Sequence, residues 1–137
     1  MANSPDSPLQ FEHIGLITNE SKPGESFVPA TRVWRTDFTV HPYRVEWLRF
    51  EPDSPVPAPV REMPHVAFRV DDIRVAARGL KVLLEPFDVG PRIVGFYQTD
   101  DGAVIEFLQY KNESSVRSSS RKPEACATPT RTPPACG

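Results

Sequence analysis

Cysteine, histidine and glycine are scarce in this chain of 137 residues, which holds two Cys, three His and seven Gly. Both cysteines, Cys126 and Cys136, lie near the end. A folded unit before them therefore has no disulfide and no thiolate metal site. No apolar run approaches the ~18 residues that a membrane-spanning helix requires. The opening residues, MANSPD, show neither the basic nor the apolar region of a secretory signal, so a cytoplasmic location is expected. Strong charge of one sign is also missing. The net charge is −2, and no basic patch interleaves with aromatics, which argues against nucleic acid as a partner.

Proline is what the chain has in excess. Sixteen prolines, more than twice the average share of ~5%, exclude a mostly helical protein, because proline removes a donor and clashes inside helices. They are clustered. Residues 111–137 form a Ser/Thr/Pro-rich tail with five basic and two acidic residues, which leaves −5 on residues 1–110. So little apolar surface cannot offset ordering entropy, and the tail is expected to be disordered. Residues 1–9 read as a flexible arm. Pro52, Pro55, Pro57, Pro59 and Pro64 read as an extended linker over residues 52–63. The expected domain is residues 10–110, in halves of about 10–51 and 64–110.

Those halves repeat one pattern. FEHIGLIT (11–18) and RVEWLRFE (44–51) precede the linker; HVAFRV (65–70) and AVIEFLQY (103–110) follow it. Each half opens on a strand with histidine before aliphatic and small residues, His13-Ile14-Gly15-Leu16 and His65-Val66-Ala67-Phe68. Each closes on aliphatic-Glu-aromatic-Leu, Val45-Glu46-Trp47-Leu48 and Ile105-Glu106-Phe107-Leu108. Two matched pairs in the same order indicate an internal duplication.

The second half reads β-α-β-β-β. Asp71 and Asp72 cap a helix to about Arg78, and Gly79 ends it. A strand at 82–85 is expected to stop at Pro86. Residues 92–99 form a strand, and Asp100-Asp101-Gly102 turn the chain into the last one. In the first half, residues 19–30 show no helical period and read as a loop. A strand is expected over 32–38 and a turn at His41-Pro42-Tyr43.

Strand alternation places His13 with Phe11, Gly15 and Ile17, and Glu46 with Leu48 and Phe50. It places His65 with Ala67 and Arg69, and Glu106 with Leu108 and Tyr110. Carboxylates among apolar neighbours are costly unless paired or metal-bound. Two histidines and two glutamates at repeat-equivalent places imply a divalent ion of the Fe, Mn, Ni, Co or Zn type. Glu12, Glu51 and Glu85 read as surface charges. Arg49 falls on the face opposite Glu46, His41 in a turn, and Trp34, Trp47 and Phe107 in the sheet core or at a subunit contact.

On these residues, above all the runs HVAFRVDD (65–72) and GAVIEF (102–107), the chain resembles the vicinal oxygen chelate superfamily, the glyoxalase/bleomycin-resistance/dioxygenase group. The resemblance implies an α+β fold of two paired βαβββ modules, the first with its helix reduced or absent. It implies metal ligands His13, Glu46, His65 and Glu106 and a small-molecule substrate bound through neighbouring oxygens. It makes Glu46 or Glu106 a general base, Arg69 an anion clamp, and Phe96 and Tyr110 pocket residues. A homodimer is a further expectation. Three activities compete: glyoxalase-like lyase, isomerase or epimerase chemistry through a stabilised enolate; Fe(II)-dependent dioxygenation; and metal-free binding of a small molecule. The full His/Glu set favours the first.

Overall fold

The structure, a computed structural model, describes residues 8–111 and two short paired strands, Pro129–Thr130 and Pro134–Ala135. The rest of the expected tail, both cysteines and residues 1–7 of the expected arm lie outside the described residues.

Eight strands build one mixed sheet: β1 (Gln10–Ile17), β2 (Ser26–Val28), β3 (Val33–Arg35), β4 (Val45–Phe50), β5 (His65–Arg69), β6 (Lys81–Asp88), β7 (Arg92–Gln98) and β8 (Val104–Tyr110). Their order is β2-β3-β4-β1-β5-β8-β7-β6. Each half therefore lays its four strands in the same sequence outward from the centre. β1 runs parallel to β4 and β5 parallel to β8, while β1 and β5 meet antiparallel at the middle. Side chains from β2 and from β6, at opposite ends of the sheet, line one cavity, so the sheet curls around it.

The ladder fixes the duplication at atomic register. Gly15 stands opposite Glu46 in the first half, and Ala67 opposite Glu106 in the second. In both, the histidine precedes that residue by two, on the same strand face. At the centre His13 pairs with Ala67 and Gly15 with His65, about a pseudo-dyad through Ile14 and Val66.

The modules differ on the outer face. In the second, Asp72 caps α2 (Ile73–Ala76) by accepting from the Arg74 amide at 2.9 Å. The helix is shorter than the expected run to Arg78; turns carry the chain on to Gly79, at φ +81°. It packs on Val70, Tyr97 and Phe107. In the first module no helix forms. Lys22 instead lies 4.5 Å over the Trp47 ring, Glu25 pairs with Arg49, and the Trp34 indole donates to Glu51 at 2.7 Å. Charge and aromatic contacts thus cover the strand surface that α2 covers on the other side.

Four expectations about elements are corrected. The linker is not extended throughout: α1 (Ala58–Glu62) forms inside it, with Pro57 at the cap and Pro59 in the first turn, where a missing N–H costs nothing. It buries Val60 against the inner core of Val94, Phe96 and Leu108. β6 continues through Pro86 to Asp88, because it is an edge strand and its ladder to β7 is irregular between Leu84 and Phe87. The loop of residues 19–30 contains β2. The strand expected over 32–38 is confined to Val33–Arg35, and Asp37 then caps a 3-10 turn at Phe38–Val40. Among the described residues, no helix is long and apolar enough to cross a membrane.

Leu108 is fully buried in the inner core, whereas Asp72 caps a short surface helix. Leu108→Ala is expected to cost about 2–5 kcal/mol and Asp72→Ala about 1 kcal/mol, read from urea unfolding midpoints at constant slope.

Candidate metal centre

The register brings His13, Glu46, His65 and Glu106 together from β1, β4, β5 and β8, the four central strands. All four are buried, between 2% and 7% exposed. One ligand atom from each falls within 4.8 Å of the other three. His13 Nε2 is 3.3 Å from Glu46 Oε1 and 3.2 Å from Glu106 Oε1; His65 Nε2 is 2.9 Å from Glu106 Oε1.

These nitrogens and oxygens lie at contact distance, yet His13 Nε2, His65 Nε2 and Glu106 Oε1 have no well-formed hydrogen bond among the described residues. Buried polar atoms without partners are expensive. A first-row ion with bonds of about 2.1 Å needs neighbouring ligand atoms about 3–3.4 Å apart, close to the three contacts of 2.9, 3.2 and 3.3 Å, while the remaining pairs lie within 4.8 Å. The residues therefore fit a divalent metal, with two imidazoles and two carboxylates as donors.

Surrounding groups fix each imidazole. Glu12 Oε1 accepts from His13 Nδ1 at 3.0 Å, which sets the tautomer and turns the Nε2 lone pair inward. Glu12 in turn accepts from the Tyr110 hydroxyl at 2.5 Å. Phe38 stacks on His13 at 4.4 Å, and Phe96 meets His65 edge-on at 5.2 Å. Gly15 makes room for His65: a Cβ there would come within 2.1 Å of the imidazole.

Glu12 is the main correction to the sequence reading. Alternation puts it on the surface, but it is 6% exposed. A bulge between Phe11 and His13 breaks the period, so Glu12 and His13 are both buried while Phe11 turns out to 45% exposure. Arg44 pins the bulge. Its Nε donates to the Glu12 carbonyl at 2.6 Å and its own carbonyl accepts from Ile14 at 3.0 Å, with Arg44 held at φ +57°.

Net charge explains the titration of this cluster. Burial opposes a charge on His13, but Glu106, Glu12 and Glu46 around it outweigh burial and raise its pKa to about 11. Burial likewise favours a neutral Glu106, but the two imidazoles hold its pKa at about 2. Without a metal, a proton on His13 supplies the positive charge that the carboxylates require.

The cluster forms one end of a mostly apolar cleft lined by residues such as Leu48, Val56, Leu84, Phe87 and Val94. Of the residues expected around the metal, Phe96 lines this cleft; Arg69 and Tyr110 do not. Arg69 instead lies 4.0 Å over the Tyr110 ring. Two arginines that the sequence reading passed over do line it, Arg35 and Arg92. Arg35 Nη1 is 3.5 Å from Glu46 Oε2. Alternation back from Phe96 through Val94 would have found Arg92. His41 stays in its turn, bonded to the Tyr43 amide.

No protein-family model matches the chain, and no curated protein matches its sequence. Among solved structures, the crystal structure of methylmalonyl-CoA epimerase from Mycobacterium tuberculosis is similar in fold, with a TM-score of 0.54 at 12% identity over 85% of this chain and 97% of that one. The likeness bears on the architecture alone: two modules of four strands each, laid in the same order outward from the centre of one curled sheet.

Metal uptake must displace the His13 proton. Near neutral pH, binding of one Co(II) or Zn(II) ion is expected to release about one proton, with apparent affinity rising roughly tenfold per pH unit. Calorimetry in buffers of different ionisation enthalpy measures this. In the metal-free protein the same proton stabilises the fold fully below about pH 6.5, and that contribution is lost as pH rises through about 11. Gly15→Ala should displace His65 and weaken metal binding by at least roughly tenfold. Unchanged affinity by chelator competition would contradict the close approach.

Proposed function

We propose that this chain is a divalent-metal-dependent enzyme of the vicinal oxygen chelate type, which moves a proton at carbon on a small substrate with two neighbouring oxygens. The carrying observation is four buried ligand atoms, spaced as one ion's donors, at one end of an apolar cleft. The fold neighbour's name, an epimerase, agrees with proton-transfer chemistry. A bound divalent ion would supply Lewis-acid polarisation of the substrate oxygens and so acidify the adjacent C–H bond.

The two glutamates then divide the work. Glu106 touches both imidazoles and acts as the anchoring ligand. Glu46 touches only His13 and turns its second oxygen towards Arg35 at the cleft wall. It is the group placed to take the carbon-bound proton and return it. Arg35 holds that carboxylate in position. Glu12 keeps the His13 lone pair aimed inward, and the apolar walls exclude competing water.

Glu106→Gln should lose metal affinity by roughly 10- to 100-fold. Glu46→Gln should keep most of the metal and lose roughly 10²- to 10⁴-fold in rate. Metal content by mass spectrometry and exchange of a substrate C–H for deuterium in heavy water separate the two roles. Full exchange in Glu46→Gln would remove it as the base. Oxygen consumption with a catechol, without exchange, would assign dioxygenation instead.

A further inference from the structure

The two arginines of the cleft stand in unlike situations. Arg35 is engaged with Glu46. Arg92 has no carboxylate within ion-pair distance among the described residues, and its Nε is buried without a hydrogen-bond partner. Its guanidinium carbon stands 5.9 Å from the Tyr110 ring centroid, a contact that orients the group without neutralising it.

Register gives its distance from the cluster. Phe96 pairs with Glu106, Val94 with Leu108 and Arg92 with Tyr110, so Arg92, Val94 and Phe96 follow one another along one face of β7. Arg92 therefore sits four residues of strand from the level of Glu106, roughly 13 Å, with apolar Val94 between. The corresponding position in the first module holds Val33, opposite Phe50, so at this level the cleft carries an arginine on one wall only.

Charge balance sharpens the point. A divalent ion and Arg35 together neutralise the carboxylates of Glu12, Glu46 and Glu106. Arg92 then faces the cleft with a charge that no carboxylate among the described residues offsets, open to an anion that enters.

Resting on the metal-enzyme reading above, we infer that the substrate is an anion with two ends: a chelating oxygen pair for the metal, and beyond a short apolar spacer a carboxylate or phosphate group held by Arg92. The guanidinium fork suits either oxyanion, because it donates two parallel hydrogen bonds.

Calorimetric titration tests this with 2-oxoadipate, its monoester at the far carboxylate, and the analogue bearing a phosphonate in place of that carboxylate. Metal-loaded protein is expected to bind the diacid roughly 10- to 100-fold more tightly than the monoester. Arg92→Met should abolish the preference while keeping the metal stoichiometry, and Arg92→Lys should restore part of it. A tighter phosphonate assigns a phosphate to the far end; a tighter diacid assigns a carboxylate. Equal affinity for diacid and monoester in the wild type overturns the inference, as does a preference that survives in Arg92→Met. If the protein takes up no metal, the enzyme reading fails on its own, and the same comparison on the metal-free protein decides whether Arg92 binds anions.

Discussion

Three carboxylates and two imidazoles buried in one place require a positive charge among them. Glu12, Glu46 and Glu106 are each under 10% exposed, so water cannot do the screening. A proton on His13 meets part of that demand in the metal-free protein, and a divalent ion meets it better because it also satisfies ring nitrogens and carboxylate oxygens that otherwise lack partners. Much of the surrounding structure serves that requirement. Glu12 turns inward by a bulge, Arg44 holds the bulge, Phe38 and Phe96 hold the rings, and Gly15 yields the space that His65 occupies.

The fold places these groups by symmetry and then departs from it. Antiparallel pairing of β1 with β5 puts the two histidines on either side of one pseudo-dyad, and the parallel neighbours β4 and β8 deliver the two glutamates to the same level. Residues that are equivalent in the ladder are not chemically equivalent. Gly15 answers to Ala67 and Val33 to Arg92. His13 carries a carboxylate on its outer nitrogen, while Nδ1 of His65 has no hydrogen-bond partner among the described residues.

The repeat and the clustering of the four candidate ligands were legible because each rests on a short, strict pattern. A histidine two residues before the partner of a glutamate survives as plain alternation along four strands. What alternation could not convey is where it fails. Glu12 sits in a bulge made by Arg44, thirty-two residues later in the chain, and no glycine marks it. Prolines misled in two places for opposite reasons. Pro57 and Pro59 open a helix, where proline is tolerated, and Pro86 lies in an edge strand whose ladder is already irregular. Arg92 is readable from its spacing of four residues to Phe96 along one face of β7, whereas strand alternation from His65 points to Arg69. Arg69 is on the expected strand, but it stacks on Tyr110 and does not line the cleft.

Replacement of a helix by charged contacts on the first module also makes the two outer faces answer differently to salt. On the second module the outer surface is sealed by apolar burial under α2, which salt does not weaken. On the first, the cover is Lys22 over Trp47 and Glu25 against Arg49, interactions that counterions screen. The two outer faces thus differ in kind, one held by apolar burial and the other by charge. β4 carries Glu46, the proposed base, on the half with the charged cover, and β8 carries Glu106, the proposed anchoring ligand, on the half with the apolar cover.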